Sequence, residues 1–225
     1  MAGLIALVGG DEFRDGCEEM DKAILEAAGV SNPSLIVIPT AAATQNPSMA
    51  ASHGVGYFSG LGANAAPLMV LEAAHANDEG LLSPIDTADV IYFTGGNPAY
   101  LLDVLTNSLL LAKLSDALDR GAILAGSSAG AMVFGSWMRF KEWRQTLGIA
   151  PGVAALPHHE RADPAVVASE LAESAPPGII VLGIDGKSAC LGGPVEWKAL
   201  GAGGVTVYRE GEWHRYTSGE VFTTG

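Results

Sequence analysis

The chain has 225 residues, of which 48% are hydrophobic and 16% are charged, and its formal net charge is −13 at pH 7. This length and apolar composition predict one folded domain spanning residues 1–225, and they exclude a disordered chain. The excess of acidic groups argues against nucleic acid and anionic membranes as partners, because both repel a negatively charged surface.

The apolar segments and the cysteine content together indicate a cytoplasmic protein. No apolar run approaches the roughly 20 residues that a membrane span requires. The apolar stretch Leu4–Val8 leads directly into Gly9 and Gly10, without the pattern of a cleavable leader. Cys17 and Cys190 are too few for a disulfide framework, which fits a reducing compartment.

Buried strands and amphipathic helices alternate through the first two thirds of the chain. In chain order we predict strands at 4–8, 34–39, 67–71, 89–93 and 122–125, with helices at 13–27, 46–61, 98–105, 109–120 and from about 129. Because parallel strands are joined by helical crossovers, this alternation predicts a mainly parallel sheet with helices on both faces. Short strands at 179–184, 188–191, 195–200 and 205–209 predict a small antiparallel part near the C-terminus.

A serine lies between a predicted strand and a predicted helix in the segment Gly126-Ser-Ser-Ala-Gly130. In this context the G-x-S-x-G pattern is typical of a nucleophile held on a sharp turn, where only small neighbours fit. Ser128 is therefore the candidate nucleophile. The alternative is a simple connection in which the serines cap the helix.

A second strand, glycine turn and helix follow one another at Asp89–Leu102. Asn97 suits the N-cap of this helix and Pro98 suits its first position. Gly95 and Gly96, which a capped helix does not require, leave backbone N–H groups free to face a ligand oxyanion.

Two of the five histidines, His158 and His159, are adjacent and follow the segment Leu147–Pro157. A serine nucleophile needs a base, and histidine has a suitable pKa for that role. The other three histidines are predicted to lie at the surface. A metal site is the weaker interpretation of this pair, because no second group of ligands accompanies it.

Three segments, Tyr92–Asn97, Gly126–Ala131 and Pro151–His158, together resemble the peptidase E and cyanophycinase family of serine peptidases. Leu35–Ala41 and Val181–Asp185 are also similar to that family, so the resemblance covers nearly the whole chain. It implies a flavodoxin-like three-layer α/β sandwich related to the class I glutamine amidotransferases. It further implies hydrolysis of short peptides without a metal or organic cofactor, and it suggests a homodimer.

The resemblance also implies the roles of individual residues. Ser128 would be the nucleophile and His158 the base, while the amides of Gly96 and Ala129 would form the oxyanion hole. In the family the acid lies between the serine and the histidine in chain order, and Glu142 is the one carboxylate there. The alternative for Glu142 is an exposed residue paired with a neighbouring cation.

Asp185, Glu160 and Asp163 are the other candidates for the acid. Relatives often carry a glutamate after the Gly-Ile-Asp of the late strand, where this chain has Gly186. Asp185 and Gly186 also form the preferred sequence of a two-residue hairpin turn, so Asp185 needs no catalytic reason.

Four residues near the motifs are predicted to contact the substrate. Arg139 and Arg161 could bind a substrate carboxylate, unless each pairs with an acidic group of this chain. Asn97 and His159 flank the proposed oxyanion site and base. Because relatives usually have phenylalanine in place of His159, the family's specificity for an N-terminal aspartate is not carried over.

Two other functions are compatible with the sequence. An esterase of the α/β-hydrolase type shares the serine motif but would use a late histidine, here His214, as its base. A non-catalytic member of the family would use the same pocket to bind a small acidic metabolite or a partner chain, and the departures at Gly186 and His159 favour it.

Overall fold

The computed structural model describes residues 3–225, in which a large sheet is covered by helices on both faces. The strands are β1 (Leu4–Val8), β2 (Ser34–Ile38), β3 (Asn64–Pro67), β4 (Val90–Phe93), β5 (Ile123–Ser127), β6 (Trp137–Phe140), β7 (Glu142–Gln145), β8 (Val153–Leu156), β9 (Ile180–Ile184), β10 (Ser188–Gly192), β11 (Glu196–Gly201), β12 (Gly204–Arg209), β13 (Glu212–Thr217) and β14 (Val221–Thr223). The helices are α1 (Glu18–Glu26), α2 (Pro47–Gly60), α3 (Glu79–Leu82), α4 (Pro98–Leu105), α5 (Leu109–Arg120), α6 (Ala129–Phe134) and α7 (Pro164–Ser174).

The large sheet has the strand order β14-β11-β10-β1-β5-β4-β2-β3. The five strands from β1 to β3 in this order are parallel, whereas β10, β11 and β14 add antiparallel pairings at one side. The carboxyl ends of β1, β4 and β5 therefore meet at one edge of the sheet, which is where ligands bind in folds of this class.

The apolar residues of β1 show how the three layers form. Ile5 and Leu7 join the core beneath α4, α5 and α6, whereas Ala6 and Val8 join the core beneath α1 and α2. Successive side chains of a strand point to opposite faces, so a continuous apolar strand is stable only when both faces are covered. The predicted three-layer α/β fold is confirmed.

A second sheet, with the order β13-β12-β9-β8, and the hairpin β6–β7 complete the fold. The hairpin explanation for Asp185 and Gly186 is wrong, because β9 pairs with β8 and β12 while β10 pairs with β1 and β11. The Asp185-Gly186 turn instead carries the chain from the second sheet into the large one. No helix in residues 3–225 is long and apolar enough to cross a membrane.

Two predicted elements differ from the structure near the sheet edge. The helix predicted at 13–27 begins only at Glu18, because Asp11 and Phe13 have φ angles of 57° and 63°, which a right-handed helix excludes. Residues 10–17 therefore form a loop beside the end of β1. The strand predicted at 67–71 lies earlier, at Asn64–Pro67, where its register with β2 is set.

Candidate active site

A cleft of about 630 Å³ lies at the edge where β1, β4 and β5 end. It contains the predicted nucleophile, the predicted base and part of the predicted oxyanion site. Its lining consists of Asp11, Glu12, Phe13, Arg14, Met49, Ala50, His53, Gly95, Gly96, Ser128 and His158.

Ser128 occupies a sharp turn between β5 and α6. Its φ of 47° and ψ of −99° are unusual for a residue with a side chain, and this backbone holds the partly exposed serine between two buried elements. The turn requires small neighbours, since a Cβ atom at Gly126 would lie 2.6 Å from the carbonyl carbon of Gly130. The glycines of the motif thus permit the conformation that exposes Ser128 to the cleft.

The end of β1 anchors both Ser128 and His158. The backbone N–H of Ser128 donates to the carbonyl oxygen of Val8 (2.9 Å), and the N–H of His158 donates to the next carbonyl, that of Gly9 (2.8 Å). Within residues 3–225 neither the Ser128 hydroxyl nor the His158 ring has a hydrogen-bond partner. Both polar groups are therefore free to interact within the cleft.

The His158 ring packs against Gly10. A Cβ atom at Gly10 would lie 2.2 Å from Cε1 of the ring, and the φ of Gly10 is 118°, a conformation that side chains rarely adopt. His158 itself has a φ of 54°. Two left-handed residues in contact thus define the position of the imidazole over the end of β1.

The glycine pair after β4 faces the same cleft. Gly96 has a φ of 145°, and a Cβ atom there would lie 2.2 Å from the carbonyl oxygen of Ala41, so only glycine fits. In the described part of the chain, no acceptor is bonded to the backbone N–H of Gly96 or of Ala129. Two unpaired amides, one from each glycine-containing turn, are available to a ligand oxygen.

Glu12 is a cleft residue that the sequence motifs do not identify. Its Oε1 accepts a hydrogen bond from the N–H of Gly95 (2.8 Å), and its Oε2 accepts one from the hydroxyl of Ser127 (2.8 Å). A carboxylate is thus fixed between the β4 and β5 turns, beside the nucleophile. Its signal in the sequence is the Gly-Gly-Asp-Glu that directly follows the first strand.

Comparison with known protein families identifies the family to which this chain belongs. The model of peptidase family S51 matches residues 4–187, which is most of the chain. The chain belongs to peptidase family S51.

Individual relatives agree with the S51 assignment. A cyanophycinase from Geminocystis herdmanii (strain PCC 6308) is 25% identical over 230 residues, covering 95% of this chain and 83% of that protein. The crystal structure of a peptidase from an acI-B1 Actinobacterium superposes with a TM-score of 0.86 at 28% identity, covering 99% of this chain and 97% of that one. This S51 member is accordingly a serine-type peptidase, and its resemblance to peptidase E and cyanophycinase is confirmed.

A third structure, from Listeria monocytogenes EGD-e and bearing the name of peptidase E, has a TM-score of 0.58 at 15% identity. The superposition covers 93% of this chain and 99% of that one. At this identity the likeness shows the fold alone.

The acid predicted for the S51 site, Glu142, lies outside the cleft. It begins β7 and is exposed, and its side chain has no hydrogen bond or ion pair within residues 3–225. Of the alternatives, Asp163 caps α7 by accepting from the N–H of Ala165 (2.9 Å). Asp185 is buried, pairs with Arg215 and accepts from the N–H of Gly204 (3.0 Å). Both of these carboxylates thus have structural roles.

Glu160 is the remaining alternative, and it lies beside the base. Its Oε2 accepts a hydrogen bond from the N–H of Gly186 (2.9 Å). This bond lowers the pKa of Glu160, and the charges of His158 and Arg161 contribute to the same shift. A Cβ atom at Gly186 would lie 2.7 Å from Asp11 Oδ2 and 3.5 Å from Glu160 Oε2. The carboxylates of Asp11 and Glu160 therefore both lie close to Gly186.

The predicted substrate contacts fall mainly outside the cleft lining. Arg139 pairs with Glu170 of α7 (3.0 Å), and Arg161 is exposed beyond the lining. Asn97 caps α4 through its side-chain oxygen, which accepts from the N–H groups of Ala99 (3.0 Å) and Tyr100 (3.1 Å). Arg139 thus forms a surface ion pair, Arg161 is exposed to solvent, and Asn97 caps a helix.

His159, the fourth predicted contact, points away from the cleft. It is buried against Gly183, and its Nε2 lies 2.6 Å from the hydroxyl of Tyr208. Burial lowers the pKa of His159, because the charged imidazolium is poorly solvated there. His159 is therefore held by packing within the fold and is absent from the cleft lining. His53 is exposed, as predicted, and it lines the cleft from α2.

Behind the cleft, α1 buries a carboxylate without a hydrogen-bond partner. Both oxygens of Asp21 lack a partner among the residues that the structure describes. Burial raises the pKa of Asp21 to about 7, the nearby Tyr57 hydroxyl opposes this shift, and the charge of Glu12 adds to it. Asp21 thus favours the folded state only when it is protonated.

Replacing Asp21 with asparagine is expected to stabilise the protein above about pH 7. Because folding raises the pKa of Asp21 from 3.8 to about 7, the wild type loses stability as pH rises between these values, by at most about 4 kcal/mol. The Asp21→Asn variant lacks this loss. The difference in unfolding free energy between the variant and the wild type should therefore be small near pH 4 and largest near pH 8. Urea denaturation at both pH values measures it.

The matched control is Asp119→Asn on the exposed face of α5. That substitution should change the unfolding free energy little at either pH. An Asp21→Asn variant less stable than wild type near pH 8 would contradict the expectation.

Proposed function

We propose that the chain hydrolyses short peptides through a serine nucleophile, Ser128, with His158 as general base. The observation that carries the proposal is the anchoring of both residues on two consecutive carbonyls at the end of β1, those of Val8 and Gly9, which presents two unpaired polar side chains to one cleft. A peptidase needs such a pair, because a serine hydroxyl attacks a carbonyl carbon only as a base removes its proton.

The turn at Ser128 serves as the nucleophile elbow in this proposal. The hydroxyl attacks the peptide carbonyl, its proton passes to His158, and the carbonyl oxygen becomes an oxyanion. The amides of Gly96 and Ala129 have no other acceptor among residues 3–225 and would donate to that oxygen. His158 then returns the proton to the leaving amine, and water releases the acyl group by the reverse steps.

We assign the acidic role to Glu160 rather than Glu142. Glu160 follows His158 by two residues, and its carboxylate accepts a hydrogen bond from the N–H of Gly186, whereas the Glu142 side chain lies on the β6–β7 hairpin without a hydrogen-bond partner in residues 3–225. A carboxylate beside the base stabilises the imidazolium that forms during the reaction. Because no hydrogen bond joins the two side chains, Glu160 acts as a positioning and electrostatic residue.

A fluorophosphonate probe tests the proposed nucleophile without knowledge of the substrate. We expect the folded protein to react at Ser128, and fragment-ion mass spectrometry should place the adduct there rather than on the adjacent Ser127. Heat-denatured protein is the control and should remain unmodified, because activation depends on the folded site. If the probe labels a control hydrolase but leaves this protein unmodified, the non-catalytic binding function is favoured instead.

A further inference from the structure

The Glu12 carboxylate lies in the cleft beside Ser128, and its two hydrogen bonds to the protein leave part of its hydrogen-bonding capacity unused. A Cβ atom at Gly95 would lie 2.9 Å from Glu12 Oε1 and 3.4 Å from Ser128 Cβ, so the carboxylate and the nucleophile flank the same glycine. Each oxygen of Glu12 accepts one hydrogen bond from the protein. A carboxylate can accept about four, so acceptor positions remain for a bound molecule.

The charges around Glu12 favour a cationic ligand. The other charged groups of the lining are Asp11 and Arg14, which pair with each other at 3.5 Å. Across residues 3–225, Glu12 has no ion-pair partner. A negative charge held without a counter-ion beside a nucleophile disfavours acidic groups and attracts an ammonium.

We propose that Glu12 is a specificity-determining residue that binds the α-ammonium group of the substrate residue whose carbonyl Ser128 attacks. In an amino acid the α-nitrogen lies about 2.5 Å from the carbonyl carbon, from standard bond lengths. Because Ser128 and Glu12 flank the same glycine, a carbonyl in contact with Ser128 can place its own α-nitrogen within reach of the Glu12 carboxylate. This inference rests on the proposed function, since it requires Ser128 to be the nucleophile.

A role for Glu12 in binding an ammonium group changes the kind of substrate that is expected. The sequence indicated arginines as anchors for a substrate carboxylate, but Arg139 is paired elsewhere and Arg161 lies outside the lining. Glu12 instead selects a free amino terminus at the residue before the scissile bond. An N-blocked peptide loses the ammonium and would leave the Glu12 charge without a partner.

The test uses two boronic acids that differ only at the α-nitrogen, 1-aminoethylboronic acid and its N-acetyl derivative. The serine oxygen adds to boron, the proton passes to His158 and no group leaves, so each adduct is a tetrahedral anion that mimics the tetrahedral intermediate. Protection of Ser128 from the fluorophosphonate probe reports binding. We expect the free amine to protect wild type at a concentration about 10-fold or more below that of the acetylated compound.

The Glu12→Gln variant should abolish this preference. Its amide oxygen can still accept from the N–H of Gly95, and its amide nitrogen can donate to the Ser127 hydroxyl, so the side chain remains in place without its charge. Glu19→Gln, on the exposed face of α1, is the matched control and should keep the preference.

The outcomes separate this inference from the proposed function. Wild type that the probe does not label contradicts the proposed nucleophile itself. Wild type that is labelled but protected equally by both boronic acids overturns the role of Glu12. That role is also overturned if Glu12→Gln is labelled at the wild-type rate and still prefers the free amine.

Discussion

The Ser128→Ala variant is expected to lose about 10⁴-fold or more in kcat/KM for a peptide that the wild type hydrolyses. The substitution removes the oxygen that forms the acyl-enzyme and leaves the fold unchanged, since the alanine methyl group occupies the space of the serine Cβ. The remaining activity would come from substrate binding and the oxyanion amides alone. Steady-state kinetics on the best substrate from a panel of free di- and tripeptides measures the loss.

Ser59→Ala provides the control for this measurement. Ser59 lies on the exposed face of α2 and has no side-chain hydrogen bond within residues 3–225, so the variant should retain full activity. A Ser128→Ala protein that turns over peptides at the wild-type rate would show that another group is the nucleophile. The unfolding transitions of both variants should match that of wild type.

The fold is largely predictable from local sequence. Each parallel strand is a short apolar run with a helical segment after it, and burial on both faces accounts for the absence of polar residues in runs such as Leu4–Val8. The turn at Gly126 is also predictable, because a Cβ atom there would meet the backbone of Gly130, only four residues further on. These features depend on neighbouring residues alone.

The features that local sequence does not predict depend on contacts between distant residues. Glu12 meets partners 83 and 115 positions away, and nothing local shows that its loop folds over the ends of β4 and β5. The Asp185-Gly186 turn has the sequence of a hairpin, yet its flanking strands pair with other strands. Strand partners are selected by burial over the whole molecule, which the sequence of a turn does not encode.

The position of the acidic residue nearest the proposed base is likewise not predictable from local sequence. Chain order alone points to Glu142, but the hairpin β6–β7 carries that residue away from the cleft. Glu160 is two residues from His158, whose left-handed conformation turns the chain so that the Glu160 carboxylate meets the N–H of Gly186. Whether a carboxylate reaches a histidine is decided by backbone angles, which residue order does not specify.

The second large effect is expected for His158→Ala, which should lower kcat/KM by about 10²- to 10⁴-fold. Without the imidazole the Ser128 hydroxyl loses the general base that the proposed mechanism assigns to it. The loss should fall mainly on kcat, because His158 acts on the transition state more than on substrate binding. Kinetics with the same peptide, together with the rate of fluorophosphonate labelling, measures the effect.

Two other histidines are controls for His158. His53 lines the same cleft from α2 but is not anchored on β1, so His53→Ala should retain most of the activity. His214 lies in the β12–β13 hairpin and is the base that an α/β-hydrolase mechanism would require. Loss of activity in His214→Ala with full activity in His158→Ala would replace the proposed mechanism by that one.

The role of Glu160 should be visible in the kinetics of the reaction. Glu160→Gln removes a negative charge that would stabilise the imidazolium formed in the transition state, so kcat should fall by about 10-fold while KM changes little. Glu142→Gln should change neither quantity, because that carboxylate is exposed on the hairpin. A fall of kcat in Glu160→Gln that accompanies a matching loss of folding stability would point to a merely structural role, and a fall in Glu142→Gln alone would return the role of the acid to Glu142.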